Sequence, residues 1–476
     1  MILKRLYDDH LAQASYLIGC ERTHRAVVVD PKRDVELYLD AARAERLTIT
    51  HVTETHIHAD FLSGSRDLAG ETGAALYLSG EGGRDWQYAW ARDALAEVIH
   101  DGATFMVGEV RLEAVHTPGH TPEHLSFLVT DTAHASEPIG ALTGDFIFVG
   151  DVGRPDLLEK AAGIAGTKEE AARSLFTSLQ RFKKRPDYLQ IWPGHGAGSA
   201  CGKDLGAMPQ STLGYERLFN WALAETNEDR FVERVLEGQA DPPAYFAVMK
   251  RKNRDGVSHD ATTAPRSLSA NDMKKLNADL SSVVVDTRLA AEFAVEHLSG
   301  SINIPHTKSF LKWAGALIPY DRDVSLIVPG GLTGAASILK ELSLIGLDRI
   351  GGIFRAELIG DAARSGAPVS TVKQLSVDQL ANPEKRDGVV ILDVRNDDEW
   401  ASGHIPGAIH IPLAALTGRV GELPADRPIA VHCQGGNRSA IASSILKHAG
   451  RSDVSNVAAG FSEWERSGNP IARGDV

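Results

Sequence analysis

Short apolar runs rich in β-branched residues alternate with polar turns through the first quarter of the chain. The runs at 26–29, 48–52 and 110–115 predict strands. Between them, apolar positions at helical spacing predict helices over 34–44 and 85–98. Because strands and helices interleave, the pattern indicates an α/β domain built in layers.

The stretch 209–255 has the apolar spacing of helices, with Trp221, Leu223 and Phe231 at positions expected in a core. Its end overlaps residues 252–265, which are polar and poor in apolar side chains. Such a composition predicts a linker that closes the first domain.

After this linker the sequence repeats itself. The run V-V-V-D-T-R at 283–288 corresponds to V-I-L-D-V-R at 390–395. Eleven residues after its aspartate, each run is followed by a similar segment, H-L-S-G-S-I in one case and H-I-P-G-A-I in the other. A repeat of about a hundred residues with a βαβα pattern predicts two copies of one small domain and not a solenoid.

The composition is that of an ordinary globular protein. A length of 476 residues exceeds what one hydrophobic core holds, so we expect several domains. Hydrophobic residues make up 43% of the chain and charged residues 24%, which is typical of this class. The formal net charge of -13 argues against a nucleic-acid-binding face, which would need clustered basic residues.

No apolar run is long enough to span a bilayer, and the N-terminal residues include Asp8 and Asp9 where a signal peptide would be apolar. We therefore expect neither membrane insertion nor a targeting peptide. The three cysteines are far apart and odd in number: Cys20, Cys201 and Cys433. This pattern predicts a reducing compartment, and hence a cytoplasmic protein in which Cys20 is structural.

The segment T-H-I-H-A-D-F-L-S-G at 55–64 follows a predicted strand and precedes a predicted helix, a turn at which sites are often found. His56 and His58 lie two residues apart, which in an extended chain directs both imidazoles to one side. This is a metal-ligand spacing, but a surface turn that happens to contain two histidines explains the pair equally well.

Three further strand-end loops carry residues of related chemistry. His120 lies in a turn stiffened by prolines, H-T-P-G-H-T-P-E-H, and Asp145 ends an apolar segment after a glycine. His195 lies in the glycine-rich loop I-W-P-G-H-G. Four loops carrying H-x-H, His, Asp and His in this order form a pattern more specific than any one of them.

This pattern resembles the metallo-β-lactamase superfamily over roughly the first half of the chain, which implies an αββα sandwich with metal ions at one edge. In dinuclear members such as glyoxalase II, the first motif reads H-x-H-x-D-H, and its last histidine helps to hold a second metal ion. That position is Phe61 here, and an apolar ring cannot coordinate a metal. The resemblance therefore implies one complete metal site and a second site that lacks a ligand.

The persulfide dioxygenases of the same superfamily are similar in using a single iron. The resemblance implies one Fe(II) per chain, held by His56, His120 and Asp145, although zinc could occupy these ligands in a crystal. Two imidazoles and one carboxylate leave positions open, as in non-haem Fe(II) oxygenases. Three more residues would orient these ligands through hydrogen bonds or be remnants of the second site: His58, Asp60 and His195.

The segment G-R-P-D at 153–156 resembles the G-R-T-D of persulfide dioxygenases, which implies that Arg154 positions the substrate. An ion pair of Arg154 with Asp151 or Asp156 is the alternative. Cys201, in the loop after the last histidine, is a candidate accessory thiol that could accept a sulfane sulfur near the iron. A small buried side chain without a chemical role is the alternative at that position.

Each of the two repeats resembles a rhodanese domain. In the second repeat, Cys433 opens the loop C-Q-G-G-N-R between a buried strand and a predicted helix that begins at Ser439. Backbone N–H groups, the helix N-terminus and Arg438 would favour an anionic sulfur there. The loop residues expected to bind a persulfide are Gln434, Gly435, Gly436 and Asn437. Cysteine phosphatases use a loop that is one residue longer, so the spacing favours sulfur transfer over dephosphorylation.

The first repeat lacks the residues that sulfur chemistry needs. Val328 stands at the cysteine position and Thr333 at the arginine position, so this copy has no nucleophile. We expect it to serve as a spacer or docking module without turnover.

Together these resemblances imply an α/β multidomain protein, in which a metallo-β-lactamase αββα sandwich is followed by two α/β rhodanese domains. The predicted boundaries are 1–255 for the persulfide dioxygenase domain, 268–365 for the degenerate rhodanese domain and 373–476 for the active one. The implied function is oxidation of thiol persulfides by O2 to sulfite at Fe(II). Sulfur transfer between Cys433 and sulfite or thiosulfate would be coupled to it, in sulfide detoxification.

Two alternatives stay open at this point. One is a zinc-dependent thiolester hydrolase of the glyoxalase II type fused to a rhodanese, and the other is a sulfur carrier in which Cys433 only relays persulfide to a partner. The expected partners are low-molecular-weight thiol persulfides, O2, sulfite and thiosulfate, with no nucleic acid and no membrane. The resemblance also implies a homo-oligomer, either a dimer or a tetramer.

Overall fold

The computed structural model describes residues 1–157, 159, 166–203, 205–239, 241–257, 264–278 and 283–474. The chain forms two compact units. The first contains residues 1–259 with the segment 343–346, and the second contains residues 260–342 and 347–476.

Two six-stranded mixed sheets form the centre of the first unit. In order across it, the first sheet contains β1 (Ile2–Asp8), β2 (Gln13–Cys20), β3 (Arg25–Val29), β4 (Thr48–Thr53), β5 (Ala75–Ser79) and β6 (Glu97–Ile99). The second sheet contains β12 (Ser211–Thr212), β11 (Gln190–Pro193), β10 (Gly140–Gly144), β9 (Leu125–Asp131), β8 (Val110–His116) and β7 (Thr104–Val107). Neighbouring strands are parallel from β3 to β6 and between β10 and β11, and antiparallel elsewhere.

The two sheets pack face to face through one apolar core. Tyr16 and Val27 of the first sheet belong to the same buried cluster as Phe127, Leu142 and Trp192 of the second. Each outer face is covered by helices, which complete the αββα sandwich that the resemblance implied. In the described part of this unit, the α-helices are Val35–Ala44, Ser65–Thr72, Lys168–Phe182, Leu213–Phe219, Trp221–Ala224, Glu228–Leu236 and Tyr245–Asp255.

Most of the predicted elements are present, but the predicted helix over 85–98 is wrong. The structure has one turn of 3-10 helix at Arg84–Trp86, followed by turns and then by β6. The aromatic side chains of Trp86, Tyr88 and Trp90 are all buried although they lie two residues apart. A helix cannot direct residues at that spacing to one side, because its side chains repeat every 3.6 residues.

The end of the first unit differs from the predicted linker. The helix Tyr245–Asp255 includes the first four residues of the predicted linker 252–265, so any linker begins after Asp255. Residues 258–263 of that prediction lie outside the described residues, as do 475–476 at the end of the predicted third domain.

Two parallel five-stranded sheets in the second unit share one strand order, as expected for a duplicated domain. The first sheet runs β13 (Arg266–Leu268), β18 (Ile350–Arg355), β17 (Val324–Val328), β14 (Val283–Asp286) and β16 (Ile302–Asn303). The second runs β20 (Lys373–Leu375), β24 (Val454–Val457), β23 (Ile429–His432), β21 (Val390–Asp393) and β22 (Ile409–His410). A short antiparallel pair joins β15 (His297–Leu298) to β19 (Val369–Ser370).

Helices flank both of these sheets. Those of the first repeat are Ala270–Ala278, Ala290–Val295, Phe310–Leu317, Leu332–Leu344 and Ile359–Arg364. Those of the second are Val377–Ala381, Pro383–Arg386, Asp397–Ser402, Leu413–Arg419, Asn437–His448 and Gly460–Arg466. Within the described ranges, no helix has both the length and the apolar character needed to cross a membrane.

Candidate functional site

Four loops at one edge of the αββα sandwich bring the predicted metal ligands together. The loop after β4 carries His56, the turn between β8 and β9 carries His120, and the ends of β10 and β11 carry Asp145 and His195. All four of these side chains are buried. The residues meet although they are far apart in sequence, because successive strands of both sheets end at this edge.

His56, His120 and Asp145 form a compact group of ligand atoms. One ligand atom from each lies within 4.8 Å of the others. Nε2 of His120 is 3.4 Å from Oδ2 of Asp145, and Nε2 of His56 is 4.0 Å from the same oxygen. The structure thus gathers the three predicted ligands of the first metal site.

A hydrogen bond at Nδ1 of each of the two histidines determines that Nε2 is the nitrogen available to a metal. Nδ1 of His120 donates to the backbone carbonyl of Arg154 over 3.2 Å. Nδ1 of His56 lies 3.0 Å from the Thr55 hydroxyl, which itself donates to Asp30, so this ring nitrogen is the donor. Both imidazoles therefore carry their lone pair on Nε2, directed at Asp145.

The surroundings of Asp145 fit a metal cation. Its side chain is buried, and neither carboxylate oxygen accepts a hydrogen bond from a nitrogen or oxygen donor of the described residues, while the Cys201 thiol is a weak donor to it. A buried charge without such partners is costly unless a cation or a proton compensates it. Two imidazole lone pairs facing the same carboxylate favour a divalent cation, because a lone pair binds a metal directly. The chain therefore holds a candidate metal-binding group of two histidines and one aspartate.

Asp30 supports this group, and the sequence interpretation missed it. It directly follows β3 and its backbone is in the left-handed region, with a φ of 54°. Its carboxylate accepts hydrogen bonds from the Thr55 backbone N–H at 2.6 Å and the Thr55 hydroxyl at 3.0 Å. The Asp30 carboxylate also accepts a hydrogen bond from Nε2 of His58 at 3.1 Å. The other ring nitrogen of His58, Nδ1, is buried and has no hydrogen-bond partner among the described residues. The place of Asp30 directly after a predicted strand, like that of Asp145, was the available signal.

His124 also contributes to the position of Asp145. Its Nε2 accepts a hydrogen bond from the Asp145 backbone N–H over 3.2 Å. Its Nδ1 lies 2.8 Å from the Thr117 hydroxyl. The loop that presents His120 therefore also fixes the backbone of the aspartate ligand.

A second group of ligand atoms lies beside the first. Asp60, His195 and Cys201 each offer a ligand atom within 4.8 Å of the others, and all three side chains are buried. Nε2 of His195 is 3.4 Å from Oδ2 of Asp60 and 3.5 Å from Oδ1 of Asp145. Nδ1 of His195 is 3.0 Å from the Ala12 carbonyl, which leaves Nε2 as the ligand atom.

Cys201 is 2% exposed. Burial raises the pKa of its thiol well above the ordinary value, and the carboxylates of Asp145 and Asp60 raise it further. A thiol in this setting is neutral at pH 7 unless a cation stabilises its thiolate. Its predicted role as a sulfur acceptor stays a prediction.

Phe61 fills the position at which dinuclear relatives would have a histidine. Its side chain is fully buried, and its ring centroid lies 4.4 Å from that of His58. An apolar ring packed in this way offers no ligand from the first motif to a second metal.

Arg154 is engaged by an acidic neighbour. It makes two hydrogen bonds to Asp156, from Nε at 2.8 Å and from Nη2 at 2.6 Å, and donates from Nη1 to the Ala200 carbonyl at 3.3 Å. Of the two sequence interpretations, the geometry matches the ion pair with Asp156. The predicted role in positioning substrate stays a prediction, and the contact of Arg154 with His120 runs through its backbone carbonyl.

The second repeat places Cys433 at the start of a tight loop after β23. Its Sγ accepts a hydrogen bond from the Gly436 backbone N–H over 3.1 Å, and the side chain is buried. Gly436 has a φ of 95°, and a Cβ there would lie 1.8 Å from the Ala458 carbonyl oxygen. Only glycine fits this position, so the loop geometry depends on it.

Hydrogen bonds to the neighbouring helix hold the same loop in place. The carbonyls of Cys433 and Gln434 accept from the backbone N–H groups of Phe461 and Ser462 at 2.7 and 3.0 Å. Nη1 of Arg395 donates to the Gln434 side chain at 3.2 Å. The following helix begins at Asn437, two residues earlier than predicted, while Gly435 is exposed.

Arg438 is paired with a residue that the sequence interpretation did not identify. Its two terminal nitrogens lie 2.6 and 2.7 Å from the carboxylate oxygens of Glu399. Arg438 also interacts electrostatically with Cys433. Glu399 lies outside the cysteine loop in sequence, so no local motif pointed to it.

The corresponding loop of the first repeat lacks the cysteine nucleophile. Val328 is buried at the end of β17, where the second repeat has Cys433. The Gly331 backbone N–H donates to the Val328 carbonyl at 3.0 Å, and the Gly330 N–H donates to Glu357 at 3.0 Å. Two backbone donors of this loop, the N–H groups of Gly330 and Gly331, are therefore already used within the repeat.

Two family models match the chain. The model of the metallo-beta-lactamase superfamily matches residues 8–195, and the model of the rhodanese-like domain matches residues 269–349 and 376–467. Both models describe enzyme families.

Three similar proteins illustrate these matches. A solved metallo-beta-lactamase from Staphylococcus aureus subsp. aureus COL is 43% identical and superposes with a TM-score of 0.68, covering 74% of this chain and 98% of its own. A probable hydroxyacylglutathione hydrolase of Schizosaccharomyces pombe is 29% identical over 38% of this chain and 62% of its own length. The putative sulfur carrier protein YrkF of Bacillus subtilis is 32% identical over 25% of this chain and 65% of its own length.

The chain spans less than two thirds of the length of these two curated relatives. It spans nearly all of the Staphylococcus aureus protein, with an identity and a fold that show common descent. The chain therefore belongs to the metallo-β-lactamase superfamily, and its metallo-β-lactamase domain is followed by two rhodanese-like domains.

Proposed function

We propose that the first domain is a persulfide dioxygenase that holds one Fe(II) on His56, His120 and Asp145, and that the second rhodanese-like domain transfers sulfur through Cys433. The observation that carries the proposal is the pairing of two imidazole nitrogens with one carboxylate at a single buried locus. This ligand set leaves positions open for small molecules, as in non-haem Fe(II) oxygenases. Phe61 adds support, since it removes a histidine that dinuclear hydrolases use.

When bound, Fe(II) would supply the site at which O2 and the persulfide sulfur react. The residues of the chain would orient the ligand nitrogens and exclude water from the site. Thr55 and the Arg154 carbonyl hold the outer nitrogens of His56 and His120, so the inner nitrogens keep one direction. Burial of these side chains keeps bulk water from the ligands.

The overall reaction balances without a further reductant. One thiol persulfide, one O2 and one water give one thiol, one sulfite and two protons. At Cys433, the outer sulfur of an enzyme persulfide would pass to sulfite, forming the S–S bond of thiosulfate and breaking the S–S bond to the cysteine. The reverse reaction would regenerate persulfide from thiosulfate, so the proposed partners are thiol persulfides, O2, sulfite and thiosulfate.

The direct test is oxygen consumption by protein loaded anaerobically with Fe(II). We expect uptake of O2 with glutathione persulfide, coenzyme A persulfide or another small-thiol persulfide, with matching release of sulfite. We expect His120→Ala to abolish this uptake and Cys433→Ser to retain it. Absence of O2 uptake with every persulfide in Fe(II)-loaded wild-type protein would overturn the dioxygenase proposal.

A zinc-dependent thiolester hydrolase is the second candidate. The name of the Schizosaccharomyces pombe relative, a hydroxyacylglutathione hydrolase, favours it, and the same ligands bind zinc more tightly than ferrous iron. Zinc-loaded protein that hydrolyses S-lactoylglutathione, combined with iron-loaded protein that leaves O2 unchanged, would establish this candidate instead.

A sulfur carrier is the third candidate, favoured by the name of the Bacillus subtilis relative. In that case Cys433 would receive sulfur and release it only to a protein partner. Turnover of thiosulfate with a small acceptor such as cyanide, lost in Cys433→Ser, would show that the domain is an enzyme and not a carrier alone.

A further inference from the structure

The first repeat packs along the helix that follows the Cys433 loop, and both repeats belong to the second compact unit. The Asn303 backbone N–H donates to the buried Ser444 hydroxyl at 2.9 Å. At the end of the same helix, Nδ1 of His448 lies 2.6 Å from the Gly300 carbonyl oxygen. From residue 300 to residue 303, the first repeat therefore runs towards the start of this helix, where the cysteine loop lies.

The next helix of the first repeat, Phe310–Leu317, extends this contact. It packs against the helix Leu413–Arg419, which itself packs against the helix that follows Cys433. Lys312 lies in the first turn of Phe310–Leu317, and its side chain is exposed. With the residues that the structure describes, the Lys312 amine makes neither a hydrogen bond nor an ion pair, and its nearest aromatic ring, that of Trp313, is 5.4 Å away.

The two arginines near Cys433 are both paired with carboxylates. Arg438 binds Glu399 through both terminal nitrogens. Arg395 donates to Asp393 from Nε and Nη2, at 3.0 and 2.7 Å. At neutral pH each pair carries no net charge. A doubly charged anion such as thiosulfate therefore finds no excess positive charge in either pair.

Lys312 lies close enough to these groups to supply the missing charge. Its amine interacts electrostatically with Arg438 and Glu399, and Arg438 in turn interacts with Cys433. Desolvation and the charge of Arg438 lower the pKa of Lys312 from its ordinary value of 10.5, while Glu399 raises it. A cation in the first turn of a helix also opposes the helix dipole. An anion bound beside Lys312 would offset both repulsions.

We propose that Lys312 of the first repeat binds the anionic group of thiosulfate or sulfite while Cys433 of the second repeat exchanges sulfur with it. The inference rests on the proposed sulfur transfer and extends it, because the repeat without a nucleophile then contributes a substrate-binding residue. With thiosulfate, the Cys433 thiolate attacks the outer sulfur, the S–S bond of thiosulfate breaks, and sulfite leaves with the bonding electron pair. Lys312 would hold the sulfonate oxygens, so that the outer sulfur faces Cys433.

Steady-state kinetics of the full chain with thiosulfate and cyanide give the first test. Lys312→Ala is expected to lower kcat/KM for thiosulfate about tenfold, mainly by raising KM, since a charge-assisted hydrogen bond to the substrate is lost. Lys312→Arg keeps the charge and should stay within about threefold of the wild type.

Lys275→Ala is the matched control for this charge. Lys275 is exposed on the same repeat, but its helix Ala270–Ala278 packs against β13, at the sheet edge opposite β16. This variant should leave kcat and KM unchanged. Circular dichroism checks that each variant is folded.

Alkylation of Cys433 tests the same charge without sulfur transfer. Iodoacetate is an anion and iodoacetamide is neutral, so the ratio of their rate constants reports the positive charge near the thiolate and cancels any change in the pKa of the thiol. Mass spectrometry of the Cys433 peptide gives both rates. We expect Lys312→Ala to lower the iodoacetate-to-iodoacetamide ratio at least about threefold. Added salt should lower the ratio in the wild type as well.

An alkylation ratio that Lys312→Ala leaves unchanged would overturn the inference, as would equal losses of activity in Lys312→Ala and Lys275→Ala. Its failure is distinguishable from failure of the proposed function. Wild-type turnover that Lys312→Ala does not alter would remove only the role of Lys312. A wild type without sulfurtransferase activity, whose alkylation ratio nevertheless falls in Lys312→Ala, would remove only the sulfur transfer.

Discussion

Both terminal nitrogens of Arg438 bind the Glu399 carboxylate, at 2.6 and 2.7 Å. Glu399 also accepts a hydrogen bond from the Asn396 backbone N–H at 3.0 Å, at the start of its own helix. The pair thus joins the helix that carries Arg438, after the Cys433 loop, to the helix Asp397–Ser402. The positive charge beside Cys433 is therefore shared with a carboxylate.

The Arg438–Glu399 pair predicts a pH-dependent contribution to stability. Burial alone would raise the pKa of Glu399, but hydrogen bonds from Arg438 and Asn396 lower it below the ordinary value of 4.5. Because the folded-state pKa is the lower one, the stabilisation is present above pH 4.5 and is lost as the pH falls through the folded-state pKa. We expect Glu399→Gln to reduce the free energy of unfolding at pH 7 by about 0.5–1 kcal/mol.

Urea denaturation at neutral and acid pH measures this difference. The gap between wild type and Glu399→Gln should shrink as the pH falls below 4.5. Glu463→Gln is the control, since its pair with Arg466 is exposed and lies within one helix. A gap that stays constant with pH would contradict the argument.

Gly436 predicts a large loss of sulfur transfer upon substitution. A Cβ at this position would lie 1.8 Å from the Ala458 carbonyl oxygen, and the φ of 95° is unfavourable for any other residue. In Gly436→Ala the loop must move, and its N–H leaves the Cys433 sulfur. We expect kcat/KM for thiosulfate to fall at least about tenfold, which corresponds to about 1.4 kcal/mol.

Gly435→Ala is the matched control for that experiment. A Cβ at Gly435 meets no heavy atom within 4 Å, so the loop can keep its shape. Thiosulfate sulfurtransferase assays of both variants decide the point. Equal activities of the two variants would show that the hydrogen bond from Gly436 to Cys433 does not matter for transfer.

The sequence predicted correctly the strands whose formation depends mainly on the residues within the strand itself. The β-branched runs became β3, β4 and β8, because alternation and side-chain branching already determine a strand. The stretch 85–98 did not become a helix, since its aromatic residues are held by distant partners. Nε1 of Trp90 donates to the Asn253 carbonyl, and the Tyr88 hydroxyl donates to Glu54. Trp90 and Asn253 are more than a hundred residues apart in sequence. The residues next to Trp90 in the chain therefore do not indicate this contact.

The residues of the candidate sites were likewise predictable from the sequence only in part. The loop positions of His120 and Cys433 could be predicted, because glycine and proline mark turns wherever they occur. The partners of these loops could not, since Asp30 and Glu399 reach the site from other elements. The proximity of Asp60 to Cys201 also could not be predicted from the sequence, because the two residues come together only in the folded domain, where the strand ends meet.

The buried ion pair of Arg154 with Asp156 predicts an indirect effect on the first metal site. The two hydrogen bonds between them fix the segment whose carbonyl accepts from His120. Asp156→Asn would break the ion pair that Asp156 makes with the buried Arg154 guanidinium, and breaking a buried ion pair costs about 3–5 kcal/mol. We expect a lower unfolding temperature and weaker retention of Fe(II), measured as iron per chain after dialysis.

Asp229→Asn is the control for the Arg154 pair, because its partner Arg173 is at the surface and has other acidic neighbours. This variant should change the free energy of unfolding by less than about 0.5 kcal/mol. Full iron retention in Asp156→Asn would mean that the Arg154 segment keeps its position without the ion pair.

The first repeat should stay inactive even when it is given a cysteine. In Val328→Cys, tested in a Cys433→Ser background, the new thiol would lack the donor that Cys433 has, since the Gly331 N–H binds a backbone carbonyl. The Gly330 N–H is likewise taken by Glu357. Thiosulfate sulfurtransferase activity of this variant should therefore stay below about a hundredth of the wild-type rate, a difference of about 2.7 kcal/mol.

The same reasoning indicates which changes should restore part of that activity. Thr333→Arg places a cation where the second repeat has Arg438, and Glu357→Ala removes the side chain that accepts the hydrogen bond from the Gly330 N–H. When both are added to Val328→Cys, we expect activity to rise above that of the single variant. If Val328→Cys alone matches the wild type, then the cysteine is sufficient and the hydrogen bonding of the loop does not distinguish the two repeats.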